Sequence, residues 1–279
     1  MFDSFSFELN QIKMKKHILN LALIVLFVGA PISAYSQNDL DTEFMLEDLR
    51  KLSHDAAEGR KTGTKGAEAA RQFIIKQMDA VNPKSLVKGY RHPFTFISRG
   101  DTVKGENIIS YIKGESDSAF IITAHYDHVG VINGEVFNGA DDNASGVAAM
   151  LAMMEYFKSN KPRHTLVFAA LDGEEMGLQG AKAIFNDPTI PIDNIILNIN
   201  MDMISINDKN ELYVAGTHFY PKFKSILEKV EVPPLKLLFG HDSPDHKGSD
   251  EFENVNKAFY IKAAHAVLYS IIELDKNLN

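Results

Sequence analysis

Apolar positions recur along the chain with two different periods, and their alternation sketches the fold. Residues 41–53 place Phe44, Leu46, Leu49 and Leu52 along one side of a helix. The Gly- and Thr-rich connection Gly59-Arg60-Lys61-Thr62-Gly63-Thr64-Lys65-Gly66 leads into a second helix over 67–82, with Ala70, Phe73, Ile74, Met78 and Val81 at helical spacing. Short apolar runs over 107–112, 119–124, 165–171 and 195–203 have strand length, each fed by a polar turn. Residues 145–157 are apolar nearly all round and predict a buried helix. Two more helices are expected over 219–230 and 256–275. Strands alternating with helices predict an α/β domain of three layers, a mostly parallel mixed sheet with helices on both faces. Ligands gather where the strands of such sheets end, and His125, Glu174, Glu175 and Asp202 all fall at strand ends.

One apolar run is of another kind. Ile18 to Ala30 follows Lys15 and Lys16 and precedes Pro31-Ile32-Ser33-Ala34-Tyr35-Ser36-Gln37. A basic start, a short apolar stretch and small residues after it predict a secretory signal peptide over residues 1–36, cleaved after Ser36. Met14, directly before the lysines, is a candidate true start. The run is short and carries Asn20, which disfavours the other reading, an uncleaved membrane anchor. An exported single domain over 37–279, with no stable membrane span, is the expectation.

Composition narrows the chemistry. The 279 residues are 45% hydrophobic and 24% charged, enough for one globular core. The 29 Lys and Arg against 37 Asp and Glu give a net charge of −8 without a basic tract, which argues against nucleic acid as the main partner. There is no cysteine, so disulfides, thiolate metal sites and cysteine nucleophiles are excluded. A metal here must be held by histidine and carboxylate.

Four segments carry candidate chemistry. In Thr123-Ala124-His125-Tyr126-Asp127-His128, residues 125 and 127 point to the same side at a strand end, so Asp127 can hold one ring nitrogen of His125 while the other binds a metal. Gly139-Ala140-Asp141-Asp142-Asn143-Ala144-Ser145-Gly146 reads either as a helix cap or as a carboxylate set between two cations. In Leu171-Asp172-Gly173-Glu174-Glu175-Met176-Gly177-Leu178-Gln179-Gly180, one glutamate can ligate a metal while its neighbour meets a water; a solvated acidic turn is the plainer reading. Asp202, within Asn198-Ile199-Asn200-Met201-Asp202-Met203-Ile204, puts an ionised group in an apolar pattern, which is costly unless it is paired or coordinated. The remaining histidines, among them His54, His92, His164 and His265, attach to no motif and read as structural or surface groups.

Together these blocks, in this order, resemble the exported zinc metallopeptidases of the M28 aminopeptidase family. Leu52-Ser53-His54-Asp55, Glu58-Gly59-Arg60 and Thr62-Gly63-Thr64 are similar to the family's N-terminal signature, and the likeness runs from about residue 41 to about residue 246. The resemblance implies a zinc aminopeptidase-like fold, a peptide substrate and two zinc ions. His125 and Asp202 would hold one ion, Glu175 the second, and Asp142 would bridge both. Glu174 would be the general base and Asp127 would orient His125. A cis peptide after the bridging aspartate, Asp142–Asn143, is also implied. The chemistry is consistent with carboxylate-rich ligation, which leaves zinc acidic enough to activate water and polarise a carbonyl.

The chain departs from the family at its late histidine. Phe239-Gly240-His241-Asp242-Ser243-Pro244-Asp245-His246-Lys247-Gly248-Ser249-Asp250 passes straight to Glu251-Phe252-Glu253-Asn254-Val255, without a Ser-Asp-His block or a Gly-Ile-Pro strand. Some tens of residues of the family pattern are therefore expected to be missing between Asp250 and Glu251. The second zinc would keep only Asp142 and Glu175, and the candidate substitute for its imidazole is His246, with His241 beside it. Three functions remain open: a zinc aminopeptidase, a member with impaired or lost catalysis that keeps partial metal binding, and a zinc enzyme that cyclises N-terminal glutamine.

Overall fold

β3 (Ala119–His125) and β6 (Thr165–Leu171) are buried along their whole length, as apolar runs without alternation require. They pair in parallel, with Ala119 opposite Thr165 and His125 opposite Leu171. The computed structural model describes residues 39–240 and 249–278; the expected signal peptide over 1–36 and the histidines 241 and 246 lie outside the described residues. β7 (Ile195–Asn200) lies parallel to β3 on its other side. β2 (Asp101–Ile112) runs antiparallel to β6, and β1 (Arg91–Ser98) antiparallel to β2. The sheet order is thus β1-β2-β6-β3-β7.

The expected mixed sheet with helices on both faces is present, and half of its pairings are parallel. The antiparallel half comes from the β1–β2 hairpin and its pairing with β6; β1 carries Pro93 and was not among the expected strands. Two small pairs complete the strands: β4 (Gly130–Ile132) with β5 (Glu135–Phe137), and β8 (Glu211–Val214) with β9 (Lys236–Phe239).

The two faces of the sheet are covered unequally. Phe120, Ile122, Leu166 and Phe168 face a large cluster built from α1 (Thr42–Leu52), α2 (Lys65–Val81), α3 (Gly146–Ser159) and α6 (Lys257–Asn277). Ile109, Ile121, Val167, Ala169 and Leu171 face a smaller one, closed by Ile184 of α4 (Gln179–Asn186) and by Ile190. α3 is buried from Gly146 to Met154, the all-round apolar helix that its composition predicts. The helix expected over 219–230 is shorter, α5 (Pro221–Leu227), because Pro221 sets its first turn. The strand expected over 195–203 ends at Asn200, and Met203 turns the chain with φ +53. Among the described residues, no helix is long and apolar enough to cross a membrane.

One buried charge sits away from the strand ends. Asp48 of α1 is fully buried beside Gln77 of α2, whose amide donates to it. Burial pushes its carboxyl from 3.8 up to about 7, against the Gln77 hydrogen bond. The folded state therefore holds a proton that the unfolded state releases between about pH 4 and pH 7, so this group's contribution falls as pH rises through that window. Asp48→Asn should raise stability by about 2 kcal/mol at pH 8, or roughly 4–8 °C in Tm. At pH 4 it should change little. Thermal melts of both proteins at the two pH values check this; an equal shift at both would show that Asp48 is not protonated in the folded state.

Candidate metal centre

The parallel register decides which loops meet. With His125 opposite Leu171 and Thr123 opposite Asn200, the chains leaving β3, β6 and β7 start at the same edge of the sheet. Two backbone bonds carry the pairing one step further: Tyr126 N–H to the Leu171 carbonyl at 2.8 Å, and Met201 N–H to the Thr123 carbonyl at 2.9 Å. His125, Asp127 and His128 thus stand beside Glu174 and Glu175 on one side and Asp202 on the other. Asp142 enters from the wide turn Ala140–Ser145 that opens α3.

The side chains form two groups that share one carboxylate. His125 Nε2 lies 3.2 Å from Asp142 Oδ1 and 3.6 Å from Asp202 Oδ1. His128 Nδ1 lies 2.8 Å from Glu175 Oε1 and 3.9 Å from Asp142 Oδ2. The two oxygens of Asp142 therefore face different imidazoles. In each triad, one donor atom per residue lies within 4.8 Å of the other two. Asp202 does not sit inside the strand, as the apolar pattern around it suggests; it follows the strand's end with its side chain 47% exposed, so it is solvated rather than buried.

The ring of His125 is oriented from behind. Its Nδ1 is 3.1 Å from the Asp127 carbonyl oxygen and 3.7 Å from the Asp127 carboxylate. That leaves Nε2 for the shared site, with the Nδ1 proton on the carbonyl. The Asp127 carboxylate has a further task, accepting the backbone N–H groups of Glu174 (3.1 Å) and Glu175 (3.2 Å). The hydroxyl of Thr62 lies between Asp127 and the buried Asp172, 3.2 and 2.7 Å away. Asp127 thus sets the glutamate turn as well as the histidine.

Electrostatically the centre holds more carboxylates than it has fixed cations to balance. Burial pulls the His125 ring toward neutrality, but hydrogen bonds to Asp127, Asp142 and Asp202 outweigh it and raise the ring's pKa well above its ordinary value. Burial also raises the Glu174 carboxyl, opposed by His125 and reinforced by Glu175, Asp127 and Asp202. Such a crowd of acids favours cations, and hard oxygen donors with two imidazoles suit zinc. Tetrahedral zinc with ligands near 2.1 Å places its donors about 3.4 Å apart. The pairs at 3.2 and 3.6 Å in the first triad fit that spacing closely.

Two holding residues were not assigned by the sequence reading. Arg60 is fully buried and donates to the carbonyls of Leu52, Tyr126, Asn138 and Gly139, with Asp142 O at 3.5 Å. Burial lowers it to about 10, held up by Asp142 and Asp250, so it stays charged at neutral pH. Residues 58–60 all have positive φ, and a Cβ on Gly59 would come within 2.6 Å of the Phe137 and Gly130 carbonyl oxygens, so only glycine fits the turn that delivers the guanidinium. Asp250 accepts the N–H groups of Asp141 (2.7 Å) and Asp142 (2.9 Å), and Glu251 accepts from Asn138 (2.9 Å). The junction 250–251 is therefore built against the loop that carries Asp142. The peptide Asp142–Asn143 is cis. The Asn143 side chain bonds the Met201 carbonyl and the Gly146 and Met203 amides.

The family model of Peptidase family M28 matches residues 107–234, which contain His125, His128, Asp142, Glu174, Glu175 and Asp202. The alkaline phosphatase isozyme conversion protein of Escherichia coli K12 is 26% identical over 166 residues, 54% of this chain and 48% of the relative. A probable zinc metalloprotease of Pyricularia oryzae is 29% identical over 153 residues, 48% of this chain and 30% of the relative. The chain thus spans less than half the length of each of these two relatives. A leucine aminopeptidase precursor from Bacteroides thetaiotaomicron superposes with a TM-score of 0.67 at 17% identity, covering 86% of this chain and 98% of that one. A glutaminyl cyclase from the same organism does so at 0.68 and 18%, covering 86% and 99%. At such identities the likeness is one of fold.

Proposed function

We propose that the protein, whose residues 107–234 match the model of Peptidase family M28, is an exported zinc-dependent aminopeptidase, which hydrolyses the first peptide bond of its substrates. The observation that carries this reading is the sharing of Asp142 between two imidazole-carboxylate groups, with Glu174 on the adjoining turn. Zinc held there would supply a Lewis acid that polarises the scissile carbonyl and acidifies water. The protein's own groups do the rest. Asp142 holds the two positions at a fixed separation, because its loop is anchored by Arg60, Asp250 and Asn143. Asp127 fixes the His125 ring and the Glu174 backbone together. Glu174, whose carboxyl pKa burial raises above its ordinary value, takes a proton from the attacking water and returns it to the leaving amine. The half-exposed Asp202 lies on the solvent side, where a peptide end can enter.

The two structural neighbours differ in chemistry but hardly in TM-score, so substrate choice is a matter for assay. The purified protein should release 4-nitroaniline from leucine 4-nitroanilide, lose this activity to 1,10-phenanthroline and regain it with zinc. Cyclisation of a Gln-peptide without anilide hydrolysis would replace the aminopeptidase reading by the cyclase one. Absence of both in zinc-loaded protein would leave a metal-binding relative without catalysis. Export is checked by the mature N-terminus, expected at Gln37.

A further inference from the structure

The carboxylate of Asp127 grips the Glu174 and Glu175 amides, and that grip is only as firm as the carboxylate itself. We propose that Thr62, held through the buried pair Asp172 and Arg71, is a positioning residue that fixes Asp127 and so sets the glutamate turn for catalysis. The proposal rests on the hydrolase reading above and adds to it the residues that keep the turn in place.

The need for a support follows from the contacts of Asp127, which is fully buried. Its oxygens accept the N–H groups of Glu174 and Glu175, at 3.1 and 3.2 Å, and one lies 3.7 Å from His125 Nδ1. Those are the groups that Asp127 has to place, so they cannot also be its fixed reference. Thr62 Oγ1, 3.2 Å from Asp127 Oδ2, comes from outside that set. The same oxygen lies 2.7 Å from Asp172 Oδ1.

Asp172 gives the chain of contacts a rigid end. It is fully buried, and its Oδ2 accepts from Arg71 Nη1 at 3.1 Å and from the Glu106 N–H at 3.0 Å, with the Tyr126 hydroxyl at 2.8 Å. Its own N–H donates to Asn107 at 3.0 Å. Arg71 in turn donates to Glu68 from Nη2 (2.8 Å) and Nε (3.0 Å), and Glu106 lies 3.3 Å from Nε. A line of charge-assisted contacts thus runs from α2 through Asp172 and Thr62 to the turn that bears Glu174. Buried networks of this kind rigidify what they touch when their members are satisfied.

The connection that carries Thr62 holds both sides of the centre. Arg60, two positions earlier, donates to the Tyr126 carbonyl and to the loop of Asp142, while Thr62 reaches the glutamate side. Gly63, with φ +80, then leads the chain into α2, which Thr64 caps and on which Arg71 stands.

Two variants separate positioning from packing. Thr62→Val keeps the shape and removes the hydroxyl; Thr62→Ser keeps the hydroxyl and removes the methyl group. Both would be compared with wild type, as full-length zinc-saturated proteins, in leucine 4-nitroanilide kinetics and in hydrogen exchange of segments 172–178 and 165–171. Thr62→Val should lose about 10–100-fold in kcat, with KM within about threefold of wild type. Its amides over 172–178 should exchange about tenfold faster, while those of β6 stay unchanged. Thr62→Ser should restore kcat to within about threefold. If circular dichroism shows that Thr62→Val does not fold, Arg71→Gln releases Asp172 from the outer end and should lower kcat by about tenfold; an unchanged kcat there would overturn the proposal.

A folded Thr62→Val protein with kcat within about threefold of wild type would overturn it too. So would equal losses in the Val and Ser variants, or exchange that rises in β6 as much as in the turn, since either describes packing alone. If wild type cyclises a Gln-peptide instead, kcat is read on that substrate. Wild type that turns over neither substrate would remove the hydrolase reading. Exchange over 172–178 then decides the positioning by itself: faster in Thr62→Val if Thr62 holds the turn, unchanged if it does not.

Discussion

Glu174→Gln should leave zinc binding unchanged and lower kcat for leucine 4-nitroanilide by about 1,000-fold, with KM little altered. The expectation follows from what each glutamate does. Glu175 Oε1 is engaged with His128 at 2.8 Å, whereas the Glu174 side chain makes no hydrogen bond among the described residues. Its backbone is nevertheless fixed, since its N–H is bound by Asp127 at 3.1 Å. A carboxylate with a located backbone, an uncommitted head and a raised pKa is suited to moving a proton. Gln keeps the size and removes the base, and general-base catalysis is worth about 10²–10⁴-fold. Zinc content and kcat measured on one preparation check this. A variant within about tenfold of wild type would assign the proton transfer elsewhere.

Arg60→Ala should have the largest effect on stability, about 4 kcal/mol or more, enough to deprive the chain of a folded state at 37 °C. The guanidinium is the common donor for carbonyls from three separate segments, at Leu52, at Tyr126 and at Asn138–Gly139. Removing it leaves those acceptors buried and unpaired, and opens a void at one of the largest fully buried side chains. Arg60→Lys keeps the charge but loses the planar fork of five N–H groups, so it should fall between the two. Urea denaturation of the three proteins measures the order. An Arg60→Ala protein within about 1 kcal/mol of wild type would mean that the three segments hold one another without it.

The sheet's centre was legible because β3 and β6 are continuous apolar runs and α3 is apolar all round; each pattern has one plausible structural meaning. β1 was not, since it is mostly half-buried or exposed and carries Pro93, which weakens a strand reading, although its partners in β2 lie only 3 to 17 positions further along. At the site, His125, Glu174, Glu175 and Asp202 stood in motifs at strand ends, which the parallel register brings to one edge, and Asp142 stood in the motif that opens α3. His128 stands in the same motif, but i and i+3 at a strand end have no fixed relation, so its direction toward Glu175 comes from the loop alone. Arg60 and Asp250 were hidden for another reason. Apart from the Leu52 carbonyl, the backbone groups that their side chains meet lie 66 to 109 residues away, and main-chain amides and carbonyls leave no mark in a sequence.

The bonds from Asp250 to the amides of Asp141 and Asp142 span 109 and 108 positions of the chain. That span imposes an order of events during synthesis. A nascent chain that has presented His125, Asp142, Glu175 and Asp202 still lacks the carboxylate that fastens the loop between them. Only when residue 250 has emerged and folded back are the two amides held and the shared carboxylate set in place. Until then, a cation would meet loosely placed donors. The finished centre is thus tied to a segment more than a hundred residues downstream, and fragments ending before residue 250 should be poor at retaining metal even though every motif is present in them.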